Sequence, residues 1–181
     1  IYLNAPIEWL AALTYSGFEV VAGNVLFEPM GSQYWRLLTP IFLHFGWLHI
    51  AFNCLWLWEI GALVEQRLGS GLLLLLIVLA GVGSNTAQFT YGGPSLFGGM
   101  SGVVYGLIGF CWVYHALLPM RGLAVPKGII LFMLGWLVFC MVVPTQALGF
   151  GAVANAAHLG GLIIGCMLAL LLAAPQKLRK Q

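Results

Sequence analysis

Apolar residues run along this chain in five long stretches, at roughly 41–63, 72–91, 101–118, 128–147 and 152–174. A helix needs about 20 mostly apolar residues to cross a bilayer core. The pattern therefore predicts an all-α polytopic membrane protein with five transmembrane helices. Residues 1–35 break the pattern. Their best apolar stretch, LAALTYSGFEVVAG, is short and contains Glu19, and Glu8, Glu28, Pro6, Pro29 and Trp9 surround it. That mixture predicts an outer region with interfacial helices. The division is then 1–35 for this region, 36–175 for the membrane core and 176–181 for a basic tail.

Composition supports the same class. The 181 residues are 61% hydrophobic and only 7% charged, against about 25% charge in a soluble domain. A net charge of +2 gives no case for a nucleic-acid partner, and the bilayer is the expected surrounding. Cys54, Cys111, Cys140 and Cys166 form no CxxC and fall in apolar runs, which suits helix packing. Basic residues mark the cytoplasmic side of a membrane protein. With five spans, Arg67, Arg121, Lys127, Lys177, Arg179 and Lys180 share one side, and only Arg36 is left for the other. The C-terminus is thus expected in the cytoplasm and residues 1–35 outside. No signal with a basic n-region is visible, so an outside start is expected to follow a further helix upstream of residue 1.

Polar side chains inside spans are expensive and are candidates for function. Three groups qualify: His44, His49 and Asn53 in HFGWLHIAFN, Ser101 in GGMSG, and His158 in NAAHLGG. His49 is 18 residues before Arg67, Ser101 is 20 before Arg121, and His158 is 19 before Lys177. At 1.5 Å per residue each lies roughly 27–30 Å from its inner anchor, so the three share a depth near the outer surface. Ser101 leads into Gly102 and Gly106, and His158 sits beside Ala157, Gly161 and Gly165. Such small-residue stripes let helices approach closely in lipid.

A Ser–His–Asp triad needs a carboxylate behind the histidine. The chain has no Asp, and none of Glu8, Glu19, Glu28, Glu59 or Glu65 is a natural partner for His158. A serine hydrolase here would be a dyad, with His158 taking the Ser101 proton. Tyr105, one turn below Ser101, is placed to pack on the imidazole. His49 and Asn53 share a helix face and can supply oxyanion donors beside the free Ser101 N–H. Gly98 and Gly99 would let irregular backbone dip into the membrane as a re-entrant loop, tolerated where protein or water satisfies it.

Each residue alone has an ordinary reading. A membrane serine usually bonds a carbonyl one turn back, and a lone histidine packs or relays. His49 and Asn53 can serve as interhelical glue, and His44 as support for the outer loop. His115 reads as a boundary residue, and Trp56, Trp58, Trp112 and Trp136 as packing or lipid-facing aromatics.

Taken together, the motifs from YWRLLTPIFLHFGWLHIAFN through EQRLGSG and FGGMSGVVYG to NAAHLGGLIIG resemble the rhomboid family of intramembrane serine proteases, in its bacterial GlpG type. The resemblance covers roughly residues 34–170. It implies Ser101 as nucleophile, His158 as general base, and His49 and Asn53 with the Ser101 backbone as the oxyanion hole, supported by Gly99. It implies Tyr105 stacked on His158, Trp35 and Arg36 as structural, and Phe52 and Trp136 as gate residues for substrate access. It also implies transmembrane protein substrates, no cofactor or metal, and a bacterial inner membrane with the active site opening toward the periplasm. Two departures are expected. The family's six-helix core would lack its first helix here, absent or truncated. The loop VVPTQALGFGAVAN before the His158 helix is longer and would cap the site.

Other functions are weighed on the residues. HExxH is absent, which disfavours a metalloprotease, and the lack of Asp excludes an aspartyl protease. A haem membrane subunit with His49 and His158 as axial ligands, a transporter with a broken helix, and a catalytically silent binder of membrane clients remain as alternatives.

Overall fold

The long apolar stretches form helices α2 (Trp47–Leu68), α3 (Ser70–Gly92), α4 (Ser101–Leu117), α5 (Lys127–Val142) and α6 (Asn155–Leu178), preceded by a short α1 (Ile7–Leu13). This computed structural model describes residues 7–143, 145 and 152–178. The protein is mainly helical. α2, α3 and the Asn155–Ala174 part of α6 are long and apolar enough to cross a membrane, while α4 and α5 are apolar helices of 17 and 16 residues.

α4 is the central helix. Every residue from Gly102 to Cys111 is buried, as expected for a helix apolar on all sides. α3 and α6 pack closely on it, and α2 and α5 flank it. Lipid tails are as apolar as leucine, so helix association here rests on close packing more than on burial from water. The small residues supply it. A methyl group at Gly161 would overlap the Gly102 carbonyl, and one at Gly165 would overlap the Gly106 carbonyl. A methyl at Gly106 would come within 2.6 Å of the Ala80 side chain of α3 and 3.3 Å of the Gly161 carbonyl oxygen of α6.

The N-terminal region departs from the expectation of loops and helices alone. Phe18–Val21 and Asn24–Phe27 form an antiparallel hairpin, with Phe18 opposite Phe27 and Val21 opposite Asn24. The strands are joined by Ala22 and Gly23, both at positive φ (50° and 81°). That is the two-residue turn whose twist suits a hairpin. Its signal, FEVV-AG-NVLF, was subsumed in the apolar stretch around Glu19.

The first long helix also starts later than 41. Thr39–Phe42 is a 3-10 turn, and α2 begins only after Gly46. Pro40 and Gly46 are the breakers. α2 then continues to Leu68, so Arg67 lies on its last turn rather than in the following loop. α5 ends at Val142 instead of 147, and α6 begins at Asn155 instead of 152. Of the expected capping loop, 144 and 146–151 lie outside the described residues, as do 1–6, Arg179 and Lys180.

The N-terminal region is anchored to the bundle by polar and aromatic contacts. Asn85 Nδ2 on α3 donates to the Leu37 carbonyl (2.9 Å), and Tyr15 stacks on Phe89 of α3 with ring centres 4.6 Å apart. Arg36 is buried and donates to the Ala11 and Thr14 carbonyls and to Gln33 Oε1. Burial pulls its pKa down, and the charge of Glu28 works against that.

Candidate active site

Ser101 is the first residue of α4, so its N–H has no acceptor within the helix. The approach to it, residues 93–100, is mostly irregular and held against the segment before α2. Gly99 N–H donates to the Pro40 carbonyl (3.0 Å). A methyl on Gly98 would sit 2.6 Å from Leu43 Cβ and 2.7 Å from the Pro40 carbonyl oxygen, so only a glycine allows this approach.

Across the α4–α6 seam, Ser101 Oγ lies 2.7 Å from His158 Nε2. With Nε2 unprotonated, the hydroxyl donates to it, and the ring proton sits on Nδ1. That Nδ1 is buried and has no hydrogen-bond partner among the described residues. Among the described residues no carboxylate contacts the imidazole. The Tyr105 ring lies against His158, centres 4.8 Å apart and planes 33° apart. Tyr105 Oη–H donates to the Met133 carbonyl of α5 (2.8 Å).

His49 and Asn53 occupy consecutive turns at the start of α2, on one face. Phe45 N–H donates to His49 Nδ1 (3.4 Å), which leaves Nε2 as the protonated nitrogen. That Nε2 is turned to Gly99: a methyl there would be 2.5 Å from it and 3.5 Å from Asn53 Nδ2. Gly99 is at φ 114°, a conformation that strains any side chain, so backbone shape and contact both require glycine. Asn53 is buried, and its Nδ2 has no partner among the described residues. Two side-chain donors thus converge two residues before Ser101. Behind His49 stands His44, ring centres 5.0 Å apart, its Nδ1 3.2 Å from the Phe42 carbonyl. His44 precedes α2, and burial holds its pKa below the ordinary imidazole value.

The expected gate residues are less closely joined. Phe52 is exposed on α2, and Trp136 is half-buried on α5, stacked on Phe139 of its own helix (5.4 Å). An aromatic pair that spans α2 and α5 is Trp56 with Phe132 (6.4 Å). Trp35 is exposed beside the buried Arg36.

Two residues that sequence reasoning passed over help to seat His158. Gln88 Oε1 on α3 accepts from the Ala157 N–H (3.2 Å) and so caps the start of α6. Asn155 Nδ2 donates to the Cys140 carbonyl at the end of α5 (2.7 Å). The polar run SNTAQ within a membrane-length helix was a signal for the first.

Known proteins share this layout of sequence. Residues 31–175 match the model of the Rhomboid domain. The chain is similar to rhomboid protease GlpG of Serratia proteamaculans (strain 568), 46% identical over 76% of this chain and 48% of that protein. It is similar to rhomboid protease GlpG of Salmonella paratyphi A, 36% identical over 91% of this chain and 62% of that one. A third, rhomboid protease GlpG of Photorhabdus laumondii, is 44% identical over 78% of this chain and 50% of its own length. The chain therefore spans about half to three-fifths of the length of these relatives. A domain match over most of its residues leaves no ambiguity of lineage: the chain belongs to the rhomboid family.

Proposed function

We propose that this chain is an intramembrane serine endopeptidase that cuts transmembrane segments of other membrane proteins with a Ser101–His158 dyad. The observation that carries the reading is the 2.7 Å contact between Ser101 Oγ and His158 Nε2 within a membrane-type bundle. Ser101 Oγ attacks the scissile carbonyl carbon while His158 Nε2 takes its proton. The negative charge that forms on the substrate oxygen is met by His49 Nε2–H, Asn53 Nδ2–H and the Ser101 N–H. The tetrahedral species collapses, the C–N bond breaks, and the imidazolium returns the proton to the leaving amine. Water then attacks the acyl-serine, with His158 again as base, and frees the enzyme.

Membrane placement belongs to the same reading. α2 to α6 cross the inner membrane, the segment before Ser101 is re-entrant, and the site opens toward the periplasm with the C-terminus cytoplasmic. Residues 1–35 form the outer region, 36–175 the core and 176–181 the tail. Phe52 and Trp136 lie on the two helices between which a substrate segment would enter. A bis-histidine haem site would need His158 Nε2 free, whereas here it faces Ser101.

The test is cleavage of a reporter transmembrane substrate in liposomes by wild type, Ser101→Ala and His158→Ala. Wild type is expected to cut and both variants to lose activity. Cleavage that persists in Ser101→Ala would refute the dyad.

A further inference from the structure

α5 touches the dyad-bearing helices along one stripe: its buried residues are Met133, Leu137 and Cys140, spaced four and three apart. In lipid such a stripe gains little from burial, so polar contacts have more to decide. Two of them end on backbone carbonyls of that stripe. Tyr105 Oη–H donates to the Met133 carbonyl (2.8 Å), and Asn155 Nδ2–H donates to the Cys140 carbonyl (2.7 Å). The Met133 carbonyl has a second lone pair and accepts without giving up its helical bond, whereas the Cys140 carbonyl lies in the last turn of α5, four residues before Pro144, and has no helical N–H to accept. The two acceptors are two helical turns apart.

Both donors flank His158. The Tyr105 ring lies on its imidazole, and Asn155 opens α6 one turn before it. His158 Nδ1 has no partner among the described residues that would fix the ring from behind. In a triad a carboxylate does that work. Here orientation falls to the Tyr105 ring and to the seating of the first turn of α6, and each of these is tied to α5.

We propose that Tyr105 and Asn155 are positioning residues that register His158 against α5, so that the dyad is fully set only while α5 is seated. The proposal rests on the serine-hydrolase reading of the site. If α5 moves away, both donors lose their acceptors in apolar surroundings and must turn to find others. The Tyr105 ring then leaves the imidazole plane, and the first turn of α6 loosens. Proton transfer from Ser101 is thereby coupled to the position of a helix that touches neither reacting atom.

The experiment compares wild type, Tyr105→Phe, Asn155→Ala and Ser101→Ala as full chains in liposomes. It measures the rate of Ser101 labelling by a small fluorophosphonate, which needs no helix to enter, beside kcat and KM for a transmembrane reporter. Tyr105→Phe keeps the ring and removes only the tie to α5. Labelling rate and kcat are expected to fall together, about five-fold in each variant, with KM unchanged; that is the scale of one hydrogen bond. If Asn155→Ala does not fold, Tyr105→Phe decides alone. Unchanged labelling and kcat, or a rise in KM alone, would overturn the proposal and leave α5 as an element of substrate entry. Wild type that labels no faster than Ser101→Ala would bring down the hydrolase reading, and this inference with it.

Discussion

The α-carbon of Gly161 rests against the carbonyl of Gly102, and one turn further on Gly165 rests against that of Gly106. Gly102 follows Ser101, and Gly161 comes three residues after His158. The glycine seam therefore sets the distance across which the dyad meets.

A methyl group in this seam has nowhere to go, because it meets backbone that cannot rotate away. Gly161→Ala is expected to push α6 off α4, costing about 1–3 kcal/mol as overpacking does. A displacement near 1 Å costs about 100-fold in rate at a catalytic pair. Thermal unfolding and reporter cleavage read the two effects. Gly135→Ala, where nothing lies within 4 Å, is the control: it should leave cleavage unchanged and, as alanine within α5, should not lower the thermal midpoint.

His49 and Asn53 are expected to act on the transition state and not on substrate affinity. Both point donors at the space beside Gly99, where charge would develop. Removing one oxyanion donor costs about 100- to 1,000-fold in kcat elsewhere. His49→Ala and Asn53→Ala should each lower kcat on this scale with KM within about two-fold. Steady-state kinetics with the transmembrane reporter separates the terms. A change confined to KM would assign the pair to substrate binding or helix packing.

Much of this arrangement was legible in the chain, for a physical reason. Lipid forces each crossing helix to show a long apolar run, so a polar residue within one stands out, as Ser101, His158 and Asn53 do. Matched depth and the glycine stripes then brought α4 and α6 together. The hairpin around Ala22 and Gly23 was not legible, because two four-residue strands beside apolar neighbours look like one apolar stretch. Nor were the partners of Asn155 and Gln88. Each acts on a backbone group of another helix, and no spacing along one segment encodes which carbonyl or N–H it meets. The start of α2 was misread because hydrophobicity continues through Pro40 and Gly46, where the backbone does not.

His44 makes stability depend on pH in the acid range. Burial lowers its pKa in the folded protein relative to the ordinary value of about 6.5. It therefore stays neutral when folded, while the unfolded chain takes up a proton as pH falls through that value. Stability is full above this pH and is lost as pH falls below it. The thermal midpoint should drop between pH 7 and 5, and drop less in His44→Asn, which retains a donor for the Phe42 carbonyl. Equal acid sensitivity in both would place the titrating group elsewhere.

Arg36 is expected to hold the N-terminal region to the bundle through hydrogen bonds more than through charge. Its guanidinium reaches Ala11 and Thr14 carbonyls on one side and Gln33 on the other, with Glu28 nearby. Arg36→Ala takes the donor from the Thr14 carbonyl, at about 1–3 kcal/mol while that group stays buried, and leaves the Ala11 carbonyl with the Thr14 hydroxyl. Arg36→Lys keeps the charge but lacks the planar fork that bonds both sides at once, and should rescue little. α1 and the hairpin depend on this side chain and on the Tyr15 stack, whereas Ser101 and His158 are held by the glycine seam. Limited proteolysis should therefore cut both variants faster within residues 7–33, while fluorophosphonate labelling of Ser101 stays within about two-fold of wild type. If Lys protected the region as well as Arg, the Glu28 charge would be the tie and the carbonyl contacts secondary.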